Sequence, residues 1–522
     1  MHDLAVVPIF VNAGAAVLPA IIGGAASALA LLFRPRALLT LFRRRPWIPA
    51  ALAAVIAIGW LGVRWMLAAT AQPTPQATRV QQPTDWAEVG RQIVRARQYA
   101  AQATTLPATA ATLADDLIVG LSPQRIGFDG GIEPTGLAAE ALWSHAEEET
   151  FYLSTPIVKN GRVYGAACQI DVIDKFGYVF AADARTGKLL WKAAAQPDGS
   201  PFKAFFSSPA ITKDGRSLII GQGLHEHADC SLICLDTETG AIRWLCKTPL
   251  HLESSPAVRG DLVVIGAGAI EDANRRPAGD PGFVLAVDLA TGKERWRYPL
   301  ADPESSPAID ETGIVYIGSG FNGNAVVALR SESDHALKSL GLDRLVWKTP
   351  APYPVVGPVT LAGDLAIVGG GNSDFVNADP RPAGVVMALD RKTGKVRWSH
   401  EMGDAVLGSI ACHDGKLVCP IRNGHVVLLN AATGDEIWRV VVGEGSAILA
   451  GCAVTSSCIY VVNKIGQLHV LKLSDGTPAQ PPRNVNGKPG ESGYCLSAPI
   501  IAEGRLYIGS ETGGLRCFVG GQ

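Results

Sequence analysis

The stretch Val284–Trp296, with the sequence VLAVDLATGKERW, decides how this chain of 522 residues folds. An apolar run ends at Asp288, the pair Thr291-Gly292 follows, and Trp296 stands four residues after the glycine. A short apolar run is typical of a buried strand, and Thr-Gly supplies a turn that tolerates positive φ. The stretch therefore predicts a β-hairpin whose second strand carries a tryptophan.

The same hairpin pattern recurs along the chain. Asp-x-x-Thr-Gly-x-x-x-Trp, once with Asn for Asp, ends at five tryptophans: Trp191, Trp244, Trp296, Trp398 and Trp438. A second signature, Ser-Pro or a close variant, marks the starts of eight units at positions 155, 208, 255, 306, 357, 409, 451 and 498. Units of about 40–50 residues with room for four strands are typical of propeller blades. The sequence therefore predicts an all-β fold, an eight-bladed β-propeller over residues 131–522.

The eighth unit has room for only three strands before residue 522. A sheet edge left unpaired there would promote aggregation. Upstream of the first unit, Thr135-Gly136 and Trp143 repeat the turn and the tryptophan of the motif, with three extra residues between them. We therefore expect the N-terminal strand around Trp143 to complete the eighth blade and close the ring.

The extended motif Ala-x-Asp-x-x-Thr-Gly-x-x-x-Trp, with its alanine at Ala181, Ala286 and Ala388, resembles a known pattern. It is similar to the tryptophan-docking motif of the PQQ-type, quinoprotein alcohol dehydrogenase-like eight-bladed propellers, over about residues 131–522. The resemblance implies that each tryptophan packs against the motif of a neighbouring blade. The docking residues would be Trp143, Trp191, Trp244, Trp296, Trp347, Trp398 and Trp438.

Two units depart from the motif. The fourth keeps Trp347 but has Ser331–Asp343 in place of the turn, and the seventh ends in Ser474-Asp475-Gly476 without a tryptophan. We expect weaker seams between blades at these two places.

Residues 1–70 form a region of different character. The stretches Leu4–Phe33 and Trp47–Met66 are apolar and long enough to span a bilayer, which takes about 20 residues. Five arginines lie between them, and such loops stay in the cytoplasm. The pattern predicts a two-helix transmembrane hairpin in the inner membrane with the propeller facing the periplasm, and a linker with a juxtamembrane helix over 71–130. A cleaved signal peptide fits less well, because the first residues are not basic and the apolar run is too long.

The net charge of −2 conceals an uneven distribution. Residues 1–70 carry six arginines and one acid, whereas the remainder carries 40 basic and 47 acidic residues. A mildly acidic propeller lacks the positive surface that binds phosphate backbones, so we exclude nucleic acid as a partner.

The resemblance implies two classes of function. One is a non-catalytic assembly scaffold of the BamB type, and the other is a dehydrogenase that uses PQQ and Ca²⁺ to oxidise alcohols or sugars and passes electrons to membrane quinone. No two of the ten cysteines are adjacent, although the alcohol dehydrogenases of the family carry an adjacent pair and the membrane-anchored sugar dehydrogenases do not. The propeller also has little room for the long insertions of those enzymes. We therefore expect a membrane-anchored scaffold that binds a protein in the periplasm without a cofactor, with the PQQ and Ca²⁺ enzyme as the alternative.

Candidate site residues lie where the inner strands begin. Glu253 and Glu304 each precede Ser-Ser-Pro, and inner strands line the channel of a propeller. The predicted ligand or peptide site is an acidic, aromatic-rimmed funnel, and no catalytic residue is assigned. The alternative is that these residues only cap strand ends. The set comprises Glu253, Glu304, His251, Phe206, Tyr353 and Tyr494.

A polar loop of the second unit, Gly223–Cys230, contains His225, His227 and Asp229. Imidazole and carboxylate groups are common ligands of transition metals, so the loop is a candidate metal site, with a merely solvated loop as the alternative. Several cysteines flank predicted hairpins, which leaves cross-strand disulfides and buried free thiols as alternatives.

Overall fold

The computed structural model describes residues 125, 127–134, 136–170, 175–225, 227–268, 282–321, 323–333, 338, 343–487 and 494–520. The predicted membrane hairpin and most of the predicted linker lie outside the described residues. Within those ranges, the structure contains no helix long and apolar enough to cross a bilayer.

The described chain forms eight antiparallel sheets arranged as blades, which confirms the predicted eight-bladed propeller. The strands of the first four blades, after β1 (Trp143–His145), are as follows. Blade 1 contains β2 (Thr150–Phe151), β3 (Ile157–Lys159), β4 (Arg162–Ile170), β5 (Lys175–Asp183) and β6 (Leu189–Ala193). Blade 2 contains β7 (Ala210–Ile211), β8 (Ser217–Gly221), β9 (Cys230–Asp236) and β10 (Ile242–Thr248). Blade 3 contains β11 (Ala257–Arg259), β12 (Leu262–Ala267), β13 (Phe283–Asp288) and β14 (Glu294–Pro299). Blade 4 contains β15 (Ala308–Ile309), β16 (Ile314–Ser319), β17 (Ala325–Arg330) and β18 (Leu345–Pro350).

The other four blades repeat this plan. Blade 5 contains β19 (Thr360–Ala362), β20 (Leu365–Gly371), β21 (Gly384–Asp390) and β22 (Val396–Glu401). Blade 6 contains β23 (Ala411–His413), β24 (Lys416–Pro420), β25 (His425–Asn430) and β26 (Glu436–Val441), followed by a 3₁₀ turn over Gly443–Gly445. Blade 7 contains β27 (Ala453–Val454), β28 (Cys458–Val462), β29 (Gln467–Lys472) and β30 (Arg483–Asn484). Blade 8 contains β31 (Ile500–Ala502), β32 (Arg505–Ser510) and β33 (Gly514–Val519), and β1 completes it.

The ring closes through strand β1. Trp143 pairs with Cys517 and His145 with Leu515, so the outer strand of blade 8 comes from the N-terminal side of the propeller. Residues further upstream add bridges from Phe128 to Ile501 and from Leu137 to Gly520. These pairings give blade 8 four strands, as in blades 2–7, so its third strand is not left as an unpaired edge.

The seams between blades are built from the tryptophan motif. At Trp244, the indole N–H donates to the backbone oxygen of Leu289 in the next blade over 2.8 Å. The ring lies against Gly292, which has φ of +68°, and a Cβ there would come 2.5 Å from the indole. Glycine is therefore required both for the turn and for the close approach of the ring. The same glycine contact is made by Trp143, Trp191, Trp347, Trp398 and Trp438, on Gly187, Gly240, Gly394, Gly434 and Gly476.

The two departures from the motif have substitutes. At the first, the indole N–H of Trp296 donates to the backbone oxygen of Ser331. The guanidinium of Arg344 lies 4.7 Å from the centre of the Trp296 ring, where the other docking tryptophans have a glycine. At the seam between blades 7 and 8, Arg483 donates to the backbone oxygens of Leu137 and Ala138. A cation thus takes part at both places where the repeat is broken.

The Ser-Ser-Pro signature has a structural explanation in its two hydroxyls. The first serine bonds within its own blade and to the next connection: Ser254 Oγ accepts from the N–H of Gly266 over 3.2 Å and donates to the backbone oxygen of Ser305 over 3.1 Å. The second bonds to the preceding blade, because the N–H of Ser208 donates to Ser255 Oγ over 3.0 Å. Thr155, Ser208, Ser255 and Ser306, from blades 1–4, share this role; the arc of hydroxyls that they form along half of the channel is here called the hydroxyl ring.

The ten cysteines, all among the described residues, are free thiols. Burial raises the pKa of Cys230 to about 12 and that of Cys412 to about 11. Of the two alternatives left by the sequence, the structure has free thiols rather than cross-strand disulfides; seven of them are buried, and Cys246, Cys412 and Cys458 are half-buried.

Candidate functional site at the channel mouth

The central channel has a cavity on each side of the hydroxyl ring. One, here called the mouth cavity, has a volume of about 120 Å³, and the other has about 70 Å³. Thr155, Ser208, Ser255 and Ser306 line both cavities, so the ring separates them.

The wall of the mouth cavity breaks the symmetry of the repeat. The position two residues before the start of each unit is apolar in six blades, but blades 3 and 4 have Glu253 and Glu304 there. Phe206 packs edge-on against Phe375, with ring centres 5.7 Å apart. The result is a small funnel with an acidic side and an apolar side, the latter lined by Leu153, Phe206, Val356, Phe375, Leu407, Leu449 and Leu496.

The acidic side belongs to a cluster of four groups, here called the His-Glu cluster: His225, His251, Glu253 and Glu304. One ligand atom from each lies within 4.8 Å of all the others. Nδ1 of His225 is 3.1 Å from Oε1 of Glu304, and Nε2 of His225 is 3.4 Å from Oε2 of Glu253. Nδ1 of His251 is 3.9 Å from Oε1 of Glu253, and its Nε2 is 3.8 Å from Oε1 of Glu304.

Three blades supply the cluster. His225 lies on the loop between β8 and β9 of blade 2, His251 and Glu253 on the connection into blade 3, and Glu304 on the connection into blade 4.

Two glycines leave room for the imidazole of His251 within the cluster. A Cβ at Gly268 would lie 2.5 Å from Cε1 of His251, and one at Gly223, where φ is +111°, would lie 2.9 Å from His251 Cβ.

The two buried carboxyl groups of the cluster differ in how readily they hold a proton. The Glu253 side chain is 7% exposed. Burial, together with the charge of Glu304, raises its pKa to about 8, against the opposing effect of His225. Burial also acts to raise the pKa of Glu304, but the hydrogen bond from His225 and the charges of His225 and His251 outweigh it and lower that pKa. One acid of the pair therefore holds a proton more readily than the other at neutral pH.

The structure brings together some of the residues selected from the sequence and not others. Glu253, Glu304 and Phe206 line the mouth cavity, and His251 is fully buried beside them. Among the described residues Tyr353 and Tyr494 line neither cavity: the first packs on the core between blades 4 and 5, and the second lies under the Lys464 ammonium.

The three residues of the candidate metal loop also separate. Only His225 joins the His-Glu cluster. Nδ1 of His227 accepts from the N–H of Leu224, and the Asp229 N–H donates to the backbone oxygen of Pro249. These two residues therefore hold the shape of the loop that carries His225.

Arg125 lines the other cavity, although no sequence pattern marked it as a site residue. Its side chain is buried and donates to the backbone oxygens of Pro307, over 2.8 Å, and Val359. Burial lowers its pKa to about 10. The channel thus has an acidic cluster at one end and a buried cation at the other, and Arg125 lies in the part of the chain that the sequence assigned to a linker.

Comparison with known proteins agrees with this architecture. The PQQ-repeat family model described as outer membrane protein assembly factor BamB matches residues 137–400 and 383–518. The chain belongs to this family. The family shares the propeller that the repeats predict.

Two curated relatives carry the names of quinohemoprotein alcohol dehydrogenases. The quinohemoprotein alcohol dehydrogenase ADH-IIG of Pseudomonas putida is 26% identical over 345 residues, which are 60% of this chain and 43% of that protein. A second, ADH IIB of the same organism, is 27% identical over 267 residues, which are 48% of this chain and 33% of that protein. The chain thus spans less than half the length of these relatives. The crystal structure of the quinohemoprotein alcohol dehydrogenase from Comamonas testosteroni superposes with a TM-score of 0.55 at 17% identity, over 82% of this chain and 84% of that one, which shows the shared fold.

The described residues at the mouth do not fit a quinone with calcium. Ca²⁺ takes six to eight oxygen ligands, whereas two of the four groups in the His-Glu cluster are imidazoles. Pockets that enclose an organic ligand usually measure about 300–1,000 Å³, well above the 120 Å³ of the mouth cavity. The donor set and the volume therefore both argue against PQQ at this position.

Proposed function

We propose that this PQQ-repeat propeller is a non-catalytic binding scaffold of the BamB type, whose channel mouth takes a side chain of a partner protein. The observation that carries the proposal is the mouth cavity: about 120 Å³, apolar on most of its wall and acidic on one side. A cavity of this size suits one side chain better than a cofactor. In many protein interfaces, a few anchor side chains buried in pockets supply most of the binding energy.

The chemistry of the wall indicates which anchor fits. Phe206 and Phe375 pack edge-on against each other in this wall and offer aromatic surface to an apolar side chain. Such buried apolar contact contributes about 25 cal/mol per Å². A partner segment that presents a bulky apolar residue would therefore bind here.

The alternative is a quinoprotein dehydrogenase that uses PQQ and Ca²⁺. The names of the curated relatives favour it. The mixed imidazole and carboxylate cluster and the small cavity weigh against it, so we place it second.

We also propose that residues 1–70 anchor the propeller to the inner membrane with the propeller in the periplasm. The support is the pair of apolar stretches with five arginines between them. Protease added to intact spheroplasts should digest the propeller and leave a membrane-bound N-terminal fragment. Protection of the propeller until the membrane is broken would contradict this orientation.

Site-specific photo-crosslinking tests the scaffold directly. A photoreactive residue replaces Phe375 at the mouth in the full chain, expressed in its own host. We expect a light-dependent adduct with one polypeptide, identified by mass spectrometry. The matched control places the same residue at Leu190, which is exposed on the outer strand of blade 1. No adduct at 375, or the same adducts at both positions, would overturn the proposal.

A further inference from the structure

The His-Glu cluster has the composition of a transition-metal site. It offers two imidazole nitrogens and two carboxylate oxygens. Zinc binds such groups at about 2.0–2.2 Å in a tetrahedron, which places neighbouring ligand atoms about 3.3 Å apart. One ligand atom from each of the four groups lies within 4.8 Å of the other three, so the side chains must close in by about 1 Å or somewhat more to reach this spacing.

A second observation points to a ligand at the same place. Oε1 of Glu253 has no hydrogen-bond partner among the described residues, although its side chain is more than nine-tenths buried. Nδ1 of His251, at 3.9 Å, is too far to donate to it. A buried carboxylate oxygen left without a partner is costly, so an ion bound between these two residues would satisfy it.

We propose that His225, His251, Glu253 and Glu304 bind one divalent transition-metal ion of the zinc class. Mixed nitrogen and oxygen donors select such ions over Ca²⁺ and Mg²⁺, which take oxygen ligands. Four protein ligands fill a tetrahedron, as in structural rather than catalytic zinc sites.

The consequence for the propeller is a cross-link at the channel mouth. The ion joins the β8–β9 loop of blade 2 to the connections into blades 3 and 4, and it lies on the acidic side of the mouth cavity. His225, with 40% of its side chain exposed, provides the path by which the ion enters. This role does not depend on the identity of any partner protein, so it goes beyond the scaffold function.

The test uses the full chain, stripped with a chelator and titrated with Zn²⁺ alone. We expect one ion per chain by calorimetry and elemental analysis, and Co²⁺ should give the visible absorption of a tetrahedral site. His225→Gln and Glu253→Gln should each weaken binding at least tenfold, since even the loss of an outer-shell partner costs about 10–100-fold. Ca²⁺ should not compete.

His400→Gln is the matched control, because His400 lies on β22 of blade 5 beside Glu436 and not in the cluster. It should bind Zn²⁺ as the wild type does. Since His225 is partly exposed, its variant should keep the wild-type circular dichroism spectrum. No stoichiometric Zn²⁺, equal affinity in His225→Gln and wild type, or equal binding of Ca²⁺ would overturn the metal site. The crosslinking result would stand independently of each of these outcomes.

Discussion

The seams between the blades and the channel mouth are built from the same repeat, but they use it in opposite ways. At the seams the repeat is kept: Trp244 docks on Gly292, and five other tryptophans make the same contact. At the mouth the repeat is broken, because blades 3 and 4 replace an apolar side chain with Glu253 and Glu304. The comparison teaches that the regular positions hold the ring together, whereas the irregular ones give this propeller its own chemistry.

The seams should show the largest effects on stability. Trp244→Ala removes a buried ring and its hydrogen bond to Leu289, so we expect a loss of about 3–5 kcal/mol in the free energy of unfolding. Chemical denaturation of the full chain measures it. Leu190→Ala, at an exposed position, should stay within about 0.5 kcal/mol of the wild type. A similar loss of unfolding free energy in both variants would show that the tryptophan seams do not hold the blades together.

A buried ion pair reinforces the seam between blades 4 and 5. Asp310 accepts from Arg391 over 2.7 Å and from the hydroxyl of Tyr316 over 2.8 Å. Asp310→Asn should cost about 2–3 kcal/mol at neutral pH, since hydrogen bonds to charged groups are worth about that much.

The pH dependence of this pair has a definite sign. Burial acts to raise the pKa of Asp310, but the hydrogen bonds from Arg391 and Thr312 outweigh it, so the folded-state pKa is lowered. The stabilisation is complete above the unfolded-state pKa of about 4 and is lost as the pH falls through the lowered folded value. The difference between wild type and Asp310→Asn should therefore shrink below about pH 4. A constant difference across this range would show that the ion pair is not its source.

The seam between blades 7 and 8, which lacks a tryptophan, should respond more weakly. Arg483→Ala removes hydrogen bonds to the backbone oxygens of Leu137 and Ala138, and we expect a loss of about 1 kcal/mol. Thermal unfolding of Arg483→Ala and Trp244→Ala in parallel ranks the two losses of stability. Arg185→Ala, at an exposed position, is the control. If Arg483→Ala cost as much as Trp244→Ala, the arginine would be a full equivalent of the tryptophan.

The same contrast explains how much could be predicted from the sequence. The eight blades and the meander within each were predictable, because hairpin motifs are local and recur. Glu253 and Glu304 were found because Ser-Ser-Pro fixes their register beside the channel. The approach of His225 to them was not predictable, since it depends on how a long loop folds over the next blade. Arg125 lies outside any repeat, so no pattern marks its burial in the channel.

The central claim is that the channel mouth is a binding site and not a quinone site. The most direct measurement mixes the full chain with PQQ and Ca²⁺, removes the unbound cofactor by gel filtration and records the absorbance spectrum. We expect no retained quinone band and no dye reduction with alcohols or sugars. A stoichiometric band that Glu253→Gln abolishes, together with dye reduction, would contradict it.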